Sequence, residues 1–324
     1  MDPRRRRRRR VHRRRFAARA GGALGRLTAL NLFVGALLGG AIALLAYRAR
    51  ALGRAGAIAA FVVGALTFAS GTVGFTLVLL AFFVPSVVLS RLGRARKREL
   101  VDIGKGGARD ALQVLANGGV ATVCAVGWTF AHDPRWALAF AGAYAAATAD
   151  TWATEVGTLA RGLPRSILSL RPLPTGMSGG VTLQGTLAEV AGGVWIGIVA
   201  PLGIALAYAG APGNVGWSMA YTQWWGIAAL ALVIPLAGII GSTVDSLLGA
   251  TLQELRRCDA CDRTCETDPH VCGQPTRLVR GVRGFSNDAV NLAATLAGAA
   301  VTVPLFAVAV HVATLAHFTI PPEH

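Results

Sequence analysis

The sequence predicts an all-α fold, a polytopic bundle of about seven or eight transmembrane helices with a small Cys-rich loop. Apolar residues make up 53% of the 324 residues and charged residues only 15%, a composition that is rare in a soluble domain. A helix needs about 20 apolar residues to cross about 30 Å of hydrocarbon. Windows without Lys, Arg, Asp or Glu span 27–47, 55–90, 111–131, 190–244 and 289–322, and the second and fourth are long enough for two crossings each.

Charge-free windows and Gly/Pro breaks divide the chain into three regions. Residues 1–26 form an Arg-rich tail, residues 27–316 the membrane domain, and residues 317–324 a short C-terminal tail. Within the membrane domain we expect helices near 27–47, 54–69, 72–90, 114–130, 135–150, 187–208, 224–248 and 288–316.

Basic and neutral connections alternate along the chain. Lys and Arg concentrate in 48–54, 91–113, 151–186 and 249–287, whereas the turns at 70–71, 131–134 and 211–223 contain none. Because short cytoplasmic loops hold the excess of Lys and Arg, we expect the basic connections to be cytoplasmic, facing inward from the plasma membrane if the source is prokaryotic.

The Arg tail dominates the net charge of +16, since 12 of the 32 basic residues lie in 1–26. Such a run is typical of a disordered segment attracted to anionic lipid, so we expect no nucleic-acid partner. A spanning first helix would place this tail opposite the basic loop 48–54. Either segment 27–47 is re-entrant, or the loop rule fails there, or translation starts downstream.

The first candidate constellation is a basic, glycine-bearing loop that leads into an apolar helix. Backbone N–H groups and the helix dipole favour an anion there, and phosphate is the natural candidate. The alternative is an ordinary positive-inside loop. The candidate residues are Lys97, Arg98, Asp102, Lys105, Arg109, Asn117, Gly118 and Gly119.

The second constellation consists of acids at the inner ends of apolar helices. Asp150, with Thr154 and Glu155, ends an Ala-rich stretch, and Asp245 ends another helix. A carboxylate beside hydrocarbon costs about 2.5 to 3.5 kcal/mol, so it usually serves a metal, a proton or a substrate. The acids favour Mg²⁺, with interfacial capping as the alternative.

The third constellation is the glycine- and hydroxyl-rich stretch 174–182. Its composition suits close backbone approach to phosphates, but a plain interhelical turn would use the same residues. The candidates are Ser178, Gly179, Gly180 and Thr182, together with Asn291 one turn into the last helix. Glu189 is interpreted as an interfacial helix end, with a ligand role as the alternative.

The fourth constellation is a cysteine cluster in the 249–287 connection. On a reducing face, closely spaced Cys and His favour a metal over disulfides. Four-coordinate zinc would take Cys258, Cys261 and Cys272 with either His270 or Cys265; redox-active or adventitious thiols are the alternative.

Taken in order, these motifs resemble the integral membrane proteins of domain-of-unknown-function family 92, which includes transmembrane protein 19 and the plant phytyl-phosphate kinase. The resemblance covers roughly 45–316. It rests on Lys97-Arg98 with Asn117-Gly118-Gly119, on Asp150-Thr151-Trp152-Ala153-Thr154-Glu155-Val156-Gly157, on Gly179-Gly180-Val181-Thr182, on Gly241-Ser242 with Asp245-Ser246-Leu247-Leu248-Gly249-Ala250, and on Asp288-Ala289-Val290-Asn291.

The resemblance implies a kinase that transfers a phosphoryl group from a nucleoside triphosphate to a phytyl- or geranylgeranyl-type monophosphate in the bilayer. It implies Mg²⁺ at Asp150, Glu155 and Asp245, phosphate contacts from Lys97, Arg98, Lys105 and Arg109, and orientation by Asn117, Thr154, Ser178, Thr182 and Asn291. The chain departs from the family's Gly-Thr-Asn-Gly-Gly at Gly176-Met177-Ser178-Gly179-Gly180, and from its Asp-Asn-Asn at Ser286-Asn287-Asp288. A transporter or flippase for a small anionic or lipid substrate is the alternative, because intramembrane acids also mark substrate paths.

Overall fold

The computed structural model describes residues 29–93, 107–209 and 224–319 and confirms the predicted all-α membrane fold. Six of the seven helices in these ranges are long and apolar enough to cross a membrane; the exception is α4. The helices are α1 (Ala29–Arg48), α2 (Arg54–Arg91), α3 (Ala111–Ala131), α4 (Pro134–Gly157), α5 (Leu183–Ala209), α6 (Trp224–Thr251) and α7 (Asn287–Thr319).

Helix α2 folds back on itself at Thr72, which has a left-handed backbone with φ 49° and ψ −137°. A straight helix of 38 residues would be about 57 Å long. Yet Arg91, at the end of α2, donates from Nη2 to the carbonyl oxygen of Ala49, just before its start, over 3.1 Å. The two ends of α2 are therefore neighbours. The helix consists of a first arm before Thr72 and a second arm after it, and these arms agree with the two segments predicted at 54–69 and 72–90.

Helix α4 is the centre of the bundle and packs against α2, α3, α5, α6 and α7. It is less apolar than its neighbours because it is built largely from Ala, Gly and Thr, and most of its first four turns are buried. Small residues let backbones approach closely in lipid. At Gly142 a Cβ would lie 1.9 Å from Oγ1 of Thr302 and 2.5 Å from the carbonyl oxygen of Gly298.

Closely packed aromatic rings fill the core at the end of the bundle away from the basic connections. Phe75 lies 4.2 Å from Phe140 and 5.2 Å from Trp128, measured between ring centroids. Tyr144 contacts Phe140 edge-on at 5.1 Å, one turn further along α4. These contacts join the second arm of α2, α3 and α4, because aromatic pairs in this distance range attract each other.

Several helices extend beyond their predicted ends. Helix α4 continues to Gly157 rather than stopping at 150, α5 begins at Leu183 rather than 187, and α6 continues to Thr251. The stretch 151–157 is thus helix and not loop.

Helix α3 begins with a capping box. The Asp110 carboxylate accepts from the Gln113 amide at 2.9 Å, and the Gln113 side chain accepts from the Asp110 amide at 3.1 Å.

The four basic connections share one end of the bundle, called here the basic end. The amide of Gly53 donates to the carbonyl oxygen of Arg109 at 2.9 Å, Gly93 lies against Leu159, and Gly179 lies against Ala250. Sharing one end agrees with the predicted grouping of these connections; their cytoplasmic orientation stays a prediction.

Short antiparallel strands lie in the connections at the basic end. Strand β1 (Arg165–Ser166) pairs with β2 (Gly180–Val181). A three-stranded sheet of order β4-β3-β5 is formed by β3 (Leu255–Cys258), β4 (Arg263–Cys265) and β5 (Arg277–Arg280). The 249–287 connection is therefore a small folded unit on the end of the helices.

We expect Gly142→Ala to destabilise the bundle by about 1–3 kcal/mol, because the added methyl must push α7 away from α4. Thermal unfolding in detergent measures the effect. Gly40→Ala is the matched control, since a Cβ there would lie 3.7 Å from the Phe61 ring. Equal melting temperatures for the two variants would contradict the close packing of α4.

Candidate active site

A polar cavity of about 280 Å³ opens at the basic end, where α4, α5 and α6 meet the loops. Asp150, Glu189 and Asp245 come from the three helices, and Glu266 comes from the loop that follows β4. The remaining lining groups are hydroxyl, amide and glycine residues: Gln113, Thr154, Gly157, Thr158, Thr175, Gly176, Ser178, Gly179, Gly180, Thr182, Gly185, Thr186, Ser242, Ser246 and Asn287, with a few apolar side chains.

The four carboxylates form one electrostatic cluster, called here the acid cluster. Asp150 interacts with Glu189, and Asp245 interacts with both Asp150 and Glu266. Oε1 of Glu189 and Oδ2 of Asp245 are buried and have no hydrogen-bond partner within the described ranges. Buried unpaired oxygens are costly, and clustered negative charges repel. A divalent cation bound between them would remove both costs, and carboxylate oxygens are the ligands that Mg²⁺ prefers.

The helical register of α4 decides which of its polar residues enter the cavity. Thr154 is four positions after Asp150 and lies only about 40° from it around the helix, so both line the cavity. Glu155 is five positions on, about 140° away, and interacts with Arg109 instead. Burial lowers the pKa of Arg109, and the Glu155 charge opposes this shift. Neither residue lines the cavity.

The glycine-rich stretch 174–182 forms one wall of the cavity. Gly176 and Gly179 have φ of 87° and 80°, a conformation that favours glycine. A Cβ at Gly179 would lie 2.5 Å from the Cβ of Ala250, so the loop packs directly on α6. The Ser178 hydroxyl donates to the Glu266 carboxylate, and the Thr182 hydroxyl accepts from the Gly185 amide at 3.0 Å. This wall therefore lines the cavity with glycine backbone and hydroxyl groups.

The structure brings together seven of the predicted site residues in this cavity: Asp150, Thr154, Ser178, Gly179, Gly180, Thr182 and Asp245. Among the other predicted residues, Glu155, Arg109, Asn117, Gly118, Gly119 and Asn291 do not line it. The Asn117 amide donates to the Gln113 carbonyl oxygen in its own helix at 2.9 Å. Lys97, Arg98, Asp102 and Lys105 lie outside the described residues.

A second cavity of about 60 Å³ is almost wholly apolar and lies between α1, both arms of α2 and α3. Gly118 borders it, with Val63 3.3 Å from the position of a Cβ at Gly118. Arg109, Asn117 and Tyr144 also line it. Gln113 lines both cavities, so polar and apolar spaces meet at the N-terminal turn of α3.

Glu189 and Glu266 are the acids that sequence reasoning did not place in the site. The sequence favours an interfacial helix end for Glu189, yet the structure places it in the cavity lining, where it interacts with Asp150. Its position directly before the long charge-free window 190–244 was the available signal. Glu266 lies between Cys265 and His270 in the sequence, and no periodic pattern marks it. Gln113, Ser242, Ser246 and Asn287 also join the site only through tertiary packing.

The comparisons with known proteins concern most of the chain. Residues 37–299 match the family model described as integral membrane protein DUF92. Protein PGR of Arabidopsis thaliana is 32% identical over 240 residues, which is 68% of this chain and 77% of that protein.

Two uncharacterised membrane proteins are also similar. One, from Methanocaldococcus jannaschii, is 30% identical over 55% of this chain and 65% of its own length. The other, from Synechocystis sp., is 30% identical over 55% of this chain and 62% of its own length. No solved structure matches the chain.

The raised pKa of the Glu266 carboxyl predicts how the stability of the protein depends on pH. Burial raises its pKa from 4.5 to about 7, although the Ser178 hydroxyl and Arg280 oppose the shift. A raised pKa means that the folded protein holds this proton more tightly than the unfolded chain. The stabilising contribution is therefore full below about pH 4.5 and is lost as the pH rises through about 7.

In magnesium-free buffer we expect Glu266→Gln to exceed the wild type in stability at pH 8, by at most about 3 kcal/mol, and to match it near pH 5. Thermal unfolding in detergent at both pH values measures the difference. A difference that stays constant with pH would contradict a buried, protonated Glu266.

Proposed function

The chain belongs to the integral membrane family DUF92, and we propose that it is a membrane-embedded phosphotransferase. It would move the terminal phosphoryl group of a nucleoside triphosphate to an isoprenoid monophosphate of the phytyl or geranylgeranyl type. The observation that supports this best is the convergence of four carboxylates and a glycine- and hydroxyl-rich loop on one polar cavity beside an apolar one.

The metal-binding role falls to the acid cluster. Asp150 and Asp245 come from helices, and one oxygen each of Glu189 and Asp245 has no hydrogen-bond partner in the described part of the chain, which suits a cation. Glu266 completes the set from the opposite wall. Bound Mg²⁺ would neutralise charge on the phosphate oxygens. Glu155, which the family resemblance implies as a ligand, interacts with Arg109, and its role would be to hold that cation near the cavity.

The phosphate-binding role falls to the 174–182 loop. Its glycine backbone and its hydroxyl groups line the cavity beside the acids. Such preorganised donors stabilise charge on a transferring phosphoryl group. Lys97, Arg98 and Lys105, in the connection that enters α3, would supply further positive charge. Asn117 and Asn291 would then act through the packing of α3 and α7 rather than by direct contact.

The transfer itself needs little from the protein beyond positioning. An oxygen of the acceptor phosphate forms a bond to the terminal phosphorus of the donor, and the bond from that phosphorus to the bridging oxygen breaks. The nucleoside diphosphate leaves with the bonding electron pair, and the isoprenoid diphosphate is formed. Since the acceptor is already an anion, no general base is required.

The apolar cavity supports a lipid acceptor. Gln113 lines both cavities, so a phosphate in the polar one and the first part of a hydrocarbon chain in the apolar one would be neighbours. The apolar cavity lies between helices that face lipid, so the rest of a long chain would continue into the bilayer. A soluble phosphate acceptor would leave this cavity without a role.

We expect Asp150→Asn and Asp245→Asn each to lower kcat by about 100-fold or more, because each removes a charge from the metal cluster. The assay incubates purified protein with phytyl or geranylgeranyl phosphate, Mg²⁺ and each labelled nucleotide, and detects the diphosphate. Asp133→Asn is the matched control, because Asp133 caps the opposite end of α4 and interacts with Arg135.

Full activity in both cavity variants would refute the metal assignment. If the wild type turns over no isoprenoid phosphate but moves a phosphate-bearing substrate across liposome membranes, the transporter alternative replaces the kinase.

We expect Gly118→Leu to select against long acceptors, because its side chain would fill the apolar cavity next to Val63. The value of kcat/KM for geranylgeranyl phosphate should fall by about tenfold, about 1.4 kcal/mol, with a smaller loss for a five-carbon monophosphate. Gly119→Leu is the control, since the nearest atom to a Cβ there is Cβ of Leu115 at 3.9 Å. An equal loss for both chain lengths would argue that this cavity does not hold the tail.

A further inference from the structure

Four metal-ligating side chains converge in the 249–287 connection, away from the acid cluster. One ligand atom from each of Cys258, Cys261, His270 and Cys272 lies within 4.8 Å of the others. Sγ of Cys258 and Sγ of Cys272 are 3.7 Å apart, and Nδ1 of His270 is 3.0 Å from Sγ of Cys272. Two thiolates bound to one tetrahedral zinc at 2.3 Å each would be about 3.8 Å apart. The observed sulfur separation therefore suits zinc.

The fifth candidate from the sequence, Cys265, has a different environment. Its thiol donates to the carbonyl oxygen of Thr267 at 3.5 Å, and it does not belong to the converging group. The structure thus separates two alternatives that the spacing left open and selects His270 as the fourth member. Three cysteines and one histidine are a common structural zinc set that leaves no open coordination position.

The fold around the four ligands is held by contacts of its own. Cys258 ends strand β3, and Cys261 follows in the turn to β4. The buried Arg256 guanidinium donates to Oδ2 of Asp268 at 2.5 Å, and Oδ1 of Asp268 accepts from the Thr276 amide at 3.0 Å. These contacts fix the segment that brings His270 and Cys272 against the first two ligands, so the ligand positions are preorganised.

We propose that Cys258, Cys261, His270 and Cys272 bind one structural Zn²⁺, and that this zinc holds Glu266 in position at the acid cluster. Glu266 directly follows Cys265 at the end of β4, inside the 258–272 segment that the zinc would close. Its carboxylate accepts from the Ser178 hydroxyl across the cavity. The zinc itself does not depend on the proposed function, whereas the positioning role rests on it.

Metal analysis of the purified full-length protein tests the zinc site. We expect about one zinc per chain in the wild type and almost none in Cys258→Ser or Cys272→Ser. Cys265→Ser is the matched control, because it removes a buried thiol from the same loop without removing a ligand. His270→Cys should keep zinc, since four cysteines also bind it. Unchanged zinc in Cys272→Ser, or equal loss in Cys265→Ser, would overturn the site.

Exchange of Co²⁺ into the wild type is a second measurement that needs no variant. Tetrahedral thiolate coordination gives intense visible absorption bands, whereas octahedral Co²⁺ gives weak ones. Weak bands, or thiols found as disulfides under reducing purification, would overturn the assignment.

Binding of Mn²⁺, used as a spectroscopic probe for the acid cluster, tests the positioning role. We expect affinity at least about tenfold weaker in zinc-free Cys272→Ser than in Cys265→Ser, as for other losses of a supporting contact. Adding Glu266→Gln to Cys272→Ser should cause little further loss, because both changes act on one interaction. Unchanged Mn²⁺ affinity without zinc would refute the positioning role. Zinc content and Mn²⁺ binding remain decisive even if the protein transfers no phosphoryl group.

Discussion

The close packing of α4 against five other helices is the constraint on which the rest of the structure depends. Ala and Gly side chains let the backbones of α5, α6 and α7 approach it, as at Gly142. Larger side chains on α4 would move its neighbours away from it. The acids of α4, α5 and α6 would then no longer meet. Close packing of small residues, rather than hydrophobicity, therefore holds α4 at the centre of the bundle. This agrees with α4 being the least apolar of the seven described helices.

The acid cluster is a consequence of where those helices end. Asp150, Glu189 and Asp245 all lie within a few turns of the basic end, so they face one another at the boundary between hydrocarbon and the polar loops. Separately, each would be an interfacial charge with access to water. Together, they form a site where like charges repel and where two buried oxygens lack hydrogen-bond partners among the described residues. That arrangement is unfavourable for the protein alone, and this cost is the physical basis of the cation site that we propose there.

The loops complete the site from outside the bilayer. The 174–182 loop packs on α6 through Gly179, and the 249–287 connection contributes Glu266 and a cluster of thiols. The Ser178 hydroxyl joins the two loops at the Glu266 carboxylate. Helices place three of the acids and a folded loop places the fourth, so under our proposal the rigidity of that loop would govern how complete the acid cluster is.

The sequence by itself determined the membrane fold, the reversal within 54–91, the grouping of the basic connections and the presence of acids at helix ends. These follow from charge and hydropathy, which act locally and can be counted along a chain. Only the tertiary structure decided which polar residues share a cavity. Asp150 and Thr154 enter it whereas Glu155 turns toward Arg109, because α4 continues past its predicted end and sets their directions. Glu189, Glu266 and the choice of His270 over Cys265 depended on contacts between distant segments, which no local pattern records.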